Sequence, residues 1–411
     1  MSKSIKTIEK IFILLIIFAS FTGLMSYIDG LTGQGSLRWA YGVYSSDGGI
    51  GGVVLRYGRD VLVIVLLLKL VLNKKCLCSN TMVYVSAIFI YSILVGMLNQ
   101  LNYRFYICGI REFIYAIVVI FIFILREKNK MITESVYKIL PVLVIFQVIA
   151  QGILIVKYHS RINIGVTRLP GLCNSAIALG YFSTGMAVAC AVLFQYFRKY
   201  SLWQCVAIIG GCTFLSITAG TRVAMICNFI LLITVIAINS NKNSNIRWLL
   251  IIMGVLVAVP ILIKYSVSLA GRGELMESGH MRVEFFGIFF KYTDLFQKIF
   301  GCGLGALTNN AANMQLQFSI SKYFAVVDST WGIILGQFGI AGVIGLLFLI
   351  LYTIKRIISN KIFRLDNILN FAVIAVGFIT MSGTNIFEQS VFGMLYIWSL
   401  CCIVYFRETH Y

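Results

Sequence analysis

With 411 residues, 59% of them hydrophobic and only 12% charged, the chain is too apolar for a soluble domain, which carries about 25% charge. Its net charge of +19 is spread along the connections between apolar runs, which argues against nucleic acid as a partner. The runs reach the roughly 18 continuous apolar residues of a membrane helix, not the ten-residue alternation of a membrane β-strand, so the fold class is all-α and polytopic, an integral membrane protein.

The first run, 8–28, follows Lys3, Lys6 and Lys10. It is similar to a signal sequence, but no small-x-small site closes it, and a retained first helix is predicted. Further spans are predicted near 53–72, 80–98, 108–125, 136–156, 172–197, 202–218, 222–239, 246–265, 331–353, 367–383 and 388–406. Together they make about 12 transmembrane helices in a single integral membrane domain, 1–411. With the N-terminus inside, the inner connections 73–79, 126–135, 198–201, 240–247 and 354–366 are each short and basic, for example Lys74/Lys75 and Arg198/Lys199. That is the positive-inside pattern, and an even count returns the C-terminus to the cytoplasm.

One long polar interruption, Lys264 to Gly342, breaks the apolar sequence. It contains a large extracytoplasmic loop, 266–330, between the ninth and tenth spans, expected to lie as a lid over the outer face. The outer side also carries Arg38, Arg56, Arg59, Arg104, Arg111, Arg161, Arg168, Arg222, Arg272 and Arg282, which topology does not require. Some suit plain ion pairs, as Arg56 and Asp60 do at i,i+4. A guanidinium fork also suits phosphate or another planar anion. The residues leave both readings open: diffuse structural pairing, or an anionic ligand such as a lipid diphosphate.

Four clusters follow in order. Arg168-Leu-Pro-Gly-Leu-Cys-Asn174 turns into the sixth span and puts Asn174 near a helix N-terminus, where an anion is favoured; a capped helix start explains it equally. Thr218-Ala-Gly-Thr-Arg222 is a very short outer turn, and its arginine would also serve as an interfacial anchor. Gly279-His-Met-Arg282 precedes Phe300-Gly-Cys-Gly-Leu-Gly305, whose glycines permit a tight turn or a close approach to a ligand. No GK[ST] follows, so nucleotide use is unsupported. His280 is a candidate base, or a solvated loop histidine. Asp328-Ser329 opens the tenth span ahead of Gly339-Ile-Ala-Gly342; Asp328 reads either as a general base or as an N-cap. Cys76 and Cys78 have no second pair to complete a zinc site. Cys108 and Cys302 are both expected outside and form a candidate disulfide pair, although two residues fix no geometry.

The order of these motifs over roughly residues 165–345 resembles the O-antigen polymerase and ligase superfamily. The resemblance implies a GT-C-like glycosyltransferase of the bacterial cytoplasmic (inner) membrane, multi-pass, with both termini cytoplasmic. It would act without metal or other cofactor on undecaprenyl-diphosphate-linked oligosaccharides at the outer face. The implied partners are the bilayer, a flippase and a chain-length-regulating co-polymerase. By the same resemblance Arg168, Arg222 and Arg282 would line the diphosphate and glycan site; together with the clusters and outer arginines above, Arg222, Arg282 and Asp328 are expected to be catalytic, and Arg161, Arg168, Asn174, Arg272 and His280 to bind substrate. Ligases of the superfamily carry histidine at the Asp328 position, so the aspartate favours the polymerase branch and leaves the assignment of a base weak. The expected function is therefore polymerisation of O-antigen or capsule repeat units. The alternatives are an O-antigen ligase, or a lipid-linked oligosaccharide flippase or exporter; transporters tend to show the internal repeats and broken helices that this sequence does not clearly display.

Overall fold

A computed structural model describes residues 3–33, 37–38, 43–44, 48–73, 76, 79–125, 129–159, 168–240, 284–316, 327–357 and 365–410. Among them run α1 (Lys3–Ser20), α2 (Leu24–Thr32), β1 (Leu37–Arg38), β2 (Val43–Tyr44), α3 (Gly49–Val71), α4 (Asn80–Leu98), α5 (Tyr103–Ile124), α6 (Asn129–Lys157), α7 (Ala176–Gln195), α8 (Leu202–Thr218) and α9 (Arg222–Ser240). After a helical stretch at 284–292 come α10 (Leu295–Phe300), α11 (Asn309–Asn313), α12 (Thr330–Ile357), α13 (Leu365–Gly383) and α14 (Ser390–His410). Apart from the antiparallel β1–β2 hairpin, the regular structure of the described residues is helical. Helices occupy eleven of the twelve expected segments, and the remaining one, 246–265, lies outside the described residues.

Seven of these helical stretches are long and apolar enough to cross a membrane, with Thr7–Thr32 (α1 and α2) counted as one. Shorter apolar helices fall in α8, α13 and α14. α3 has the length, at 23 residues, but carries Arg56, Arg59 and Asp60 along its first half. Local chemistry sets the helix starts. Ser79, Asn102, Ser175 and Ser201 each accept a hydrogen bond from a backbone N–H in the first turn of the helix they precede, satisfying groups that a helix leaves unpaired.

α7 forms the centre of the bundle. It is apolar on every side and buried along nearly its whole length, as expected of an interior helix. Within a bilayer, close van der Waals packing between small residues holds such helices together. A Cβ on Gly185 would stand 3.0 Å from the Phe392 Cα of α14, and one on Gly180 would stand 2.4 Å from the Thr221 side chain. Inside the bundle the Asn228 side-chain NH2 donates to Ser183 Oγ at 3.0 Å and to the Cys212 carbonyl at 3.1 Å.

The loop expected as a lid enters the bundle instead, in the part that is described. Residues 301–308 are buried and run between α5 and α12. Gly301, Gly303 and Gly305 all have positive φ, and added Cβ atoms would strike the backbone at Gln337, Gly96 and Phe105 respectively. The F-G-x-G-x-G motif is thus a packing device in which backbone meets backbone. α12 answers it with a break at Gly339 (φ 66°, ψ −164°). Ahead of that break the Gly336 and Gln337 carbonyls accept from Cys302 N (2.8 Å) and Gly303 N (3.1 Å). Cys302 and Cys108 are free thiols in a shared apolar cluster, so the candidate disulfide does not form: Cys108 Sγ faces Met314 Sδ at 3.8 Å.

Two glutamines of α6 secure the other turn that leads to the site. Gln147 donates to the Ser20 carbonyl (2.9 Å) and accepts from Leu172 N (3.1 Å), while Gln151 donates to the Leu169 carbonyl (2.9 Å). Gly23, at the gap between α1 and α2, donates to the Leu172 carbonyl and lies where any Cβ would meet Cys173 O at 2.0 Å. Gln147→Leu would strand the buried Leu172 N–H and leave the Ser20 carbonyl with only the Cys173 thiol at 3.7 Å, so it should destabilise the protein by about 1–3 kcal/mol. Thermal unfolding of the detergent-solubilised protein measures this, and an unchanged transition would show that the turn does not depend on Gln147.

Candidate functional site

A polar cavity of about 250 Å³ opens at the end of the bundle where α3, α5, α7 and α14 begin. Its cationic wall comes from Arg56 and Arg59 of α3 and Arg111 of α5. Two of these guanidinium groups share one carboxylate: Arg59 Nη2 lies 3.0 Å from Asp60 Oδ1, and Arg111 Nη2 lies 2.8 Å from Asp60 Oδ2. Tyr115 Oη donates to Asp60 Oδ1 at 3.0 Å, and the Arg59 guanidinium sits 5.6 Å from the centre of the Tyr115 ring. Arg111 Nη1 also reaches Asn310 Oδ1 at 3.4 Å. These contacts fix the direction of the Arg59 and Arg111 forks, and three guanidinium groups make this wall basic. Asn174 and the N-cap Ser175 add the N-terminus of α7 to the rim, which contributes further positive potential.

Carboxyl groups line the same cavity. Glu112, 1% exposed, accepts from Gln337 Nε2 at 3.0 Å and from Asn385 Nδ2. Glu388, half-buried between α13 and α14, accepts from the Asn309 backbone N–H at 2.9 Å and from the Asn309 side-chain amide. Burial raises the Glu388 carboxyl above the ordinary glutamate range, and nearby Asp328 adds to that; the Asn309 and Asn385 amides favour the ionised form and act the other way. Both kinds of charged group depend on the inserted loop, because the neighbouring residues Asn309 and Asn310 hold Glu388 and Arg111 respectively.

A second, apolar cavity of about 650 Å³ lies alongside, between α5, α12, α13 and α14. It extends along the helices from Ile386 and Phe387 as far as Val404, and Phe387 belongs to the walls of both cavities. A polar chamber with an arginine-lined wall therefore adjoins an apolar groove across one aromatic side chain.

The residues singled out in the sequence are distributed around this site. Asn174 lines the polar cavity. Arg168 lies against the Thr218–Arg222 turn, where a Cβ on Gly220 would meet its Cγ at 3.1 Å and where Leu169 N donates to the Thr218 carbonyl. The first two motifs thus meet, with Arg168 and Arg222 half-buried and neither of them among the cavity-lining residues. Asp328 is exposed and accepts from Thr384 Oγ1 at 3.3 Å. The N-cap of α12 is Ser329, which accepts from Gly332 N, so the aspartate is not the cap. Arg161, Arg272, His280 and Arg282 lie outside the described residues.

Sequence reasoning did not single out Glu112, Glu388, Asn309 or Asn310. A signal existed for Glu112: an ionisable residue within an apolar run marks a candidate site in its own right. Fold and site together define a membrane-embedded helical protein with an arginine-lined chamber beside an apolar groove. Compared with known proteins, the chain matches no family model and no curated protein.

Proposed function

We propose that the chain is a polysaccharide polymerase that joins undecaprenyl-diphosphate-linked oligosaccharide units at the outer face of the bacterial cytoplasmic membrane. The observation that supports this reading most is the arginine-lined chamber sharing Phe387 with the long apolar groove. A soluble anion would need only the first and an ordinary lipid tail only the second; a polyprenyl diphosphate uses both. In this reading the chain spans the membrane twelve times with both ends inside, which puts the chamber on the outer side.

The chemistry follows from the arginine-lined wall. A glycan on its lipid diphosphate already carries a good leaving group, so positioning and electrostatic stabilisation of the departing diphosphate supply most of the rate enhancement. Arginine forks preoriented by Asp60 can do this without reorganising, in a chamber that restricts water. No step requires a metal ion or a nucleotide.

Glu112 favours a second reading, because a carboxylate buried among spans is also a hallmark of proton-coupled transport. Deleting the gene and analysing the surface polysaccharide separates the two. The polymerase reading expects single repeat units on the acceptor, with longer chains restored by the wild-type gene. A ligase defect would leave the acceptor bare. Units trapped on the inner side would refute the polymerase in favour of a flippase.

A further inference from the structure

We propose that Glu388 is the general base of this transfer, taking the proton from the acceptor sugar hydroxyl as that oxygen attacks the anomeric carbon. The inference rests on the polymerase reading. In the step, the new C1–O glycosidic bond forms while the C1–O bond to the diphosphate breaks. The bonding pair leaves with the diphosphate, the hydroxyl proton passes to Glu388, and Glu388 later returns it to solvent. Mass and charge balance without any other reactant.

Among the described residues four carboxylates stand in or near the chamber, and the geometry separates them. Asp60 is bound by Arg59, Arg111 and Tyr115, so its role is to aim the arginines. Glu112 has one amide on each oxygen, as Glu388 does, but at 1% exposure it is closed to an incoming hydroxyl. Asp328 is exposed but does not line the chamber. Glu388 lines it, is half-buried, and takes its hydrogen bonds from the Asn309 amides, which leaves each oxygen with further acceptor capacity.

Position gives the second argument. Asn309 holds Glu388 and Asn310 holds Arg111, so consecutive residues fix the separation between a carboxylate and the cationic wall. A diphosphate on the arginines leaves an incoming hydroxyl to approach from the carboxylate side. Among the described residues the charged groups around Glu388 are Glu112 of α5 and Asp328 ahead of α12, with Arg56, Arg59 and Arg111 lining the same chamber. Burial raises the Glu388 carboxyl above the ordinary glutamate range, the Asn309 amides oppose this and Asp328 adds to it, and a more basic carboxylate is the better proton acceptor.

The test uses the full chain in membranes of the deletion strain, supplied with that strain's own lipid-linked repeat units. Undecaprenyl diphosphate binding is measured in parallel on the purified protein. Glu388→Gln should lower the polymerisation rate by about 10²-fold or more, with undecaprenyl diphosphate binding changed by less than about twofold. Glu388→Asp should retain an intermediate rate. Because the base must be ionised, the wild-type rate should fall as pH drops through the raised Glu388 titration, and in Glu388→Asp that acid limb should move. An unmoved acid limb in the Asp variant overturns the proposal, as does a Gln variant within about threefold of wild type. Parallel loss of rate and lipid binding in the Gln variant also overturns it, by assigning Glu388 a structural role. If the wild-type protein itself makes no polymer from these units, the polymerase reading fails, and this inference fails with it.

Discussion

Arg111→Ala should reduce polymer formation by about 10²–10³-fold, the usual cost of removing one preorganised donor from a site where negative charge develops. The side chain has two anchors, Asp60 at 2.8 Å and Asn310 at 3.4 Å, and remains about one-third exposed, at 35%. It is therefore aimed but not used up by structural bonds. Its removal leaves Asp60 held by Arg59 and Tyr115, so the fold should survive and the protein should insert at the wild-type level. Arg111→Lys keeps the charge and loses the fork, so it should fall between the two. The measurement is polymer formed per inserted protein, with undecaprenyl diphosphate binding alongside. If Arg59→Ala and Arg111→Ala are both well inserted and both leave yield and affinity unchanged, the cationic wall is structural and the diphosphate binds elsewhere.

Arg59 and Arg111 show what the sequence could and could not reveal. Both were visible as outer arginines without a topological purpose, and so was their suitability for an anion. Their convergence was not visible, because it depends on α3 packing against α5 so that Tyr115 meets Asp60 across 55 residues. Short-range spacing pointed to Arg56 as the partner of Asp60, whereas the close contacts to Arg59 and Arg111 come from a neighbour in sequence and a neighbour in space. The helices were legible for a simpler reason: an apolar run of membrane length has few other ways to satisfy its backbone.

The polar loop shows the opposite error. Its glycines announced unusual backbone, and positive φ at Gly301, Gly303 and Gly305 agrees with that. Their partners, however, are the backbones of α4, α5 and α12, which no local pattern specifies. A polar stretch that reads as a solvent-facing lid thus becomes, over 301–310, an inserted segment that positions charged groups of the chamber. Glu388 was passed over because it lies at the mouth of an apolar span, where a carboxylate ordinarily reads as a solvated helix end.

Gly305→Ala should be the most damaging single-methyl change in this region. At φ 85° an L side chain costs about 1–3 kcal/mol in backbone strain. The added Cβ would stand 1.7 Å from Phe105 O and 3.0 Å from Gly109 N, both of them helix backbone that cannot swing aside like a flexible side chain. Overpacking of this kind adds about 1–3 kcal/mol, and the sum is a large share of a typical stability of about 5–15 kcal/mol. The damage also has a route to the chemistry. Gly305 N donates to Gln337 Oε1 at 3.1 Å, and Gln337 Nε2 donates to Glu112 Oε2 at 3.0 Å. Displacing Gly305 therefore turns the amide that holds the buried carboxyl, so the surviving protein should lose activity as well as stability. Gly152→Ala in α6 is the control, since its Cβ meets nothing within 4 Å and the change should stabilise by up to about 1 kcal/mol. Thermal unfolding of the two solubilised variants reads the contrast directly. A Gly305→Ala protein that unfolds at the wild-type temperature would mean that the loop can leave its groove at little cost, and that the chamber does not depend on it.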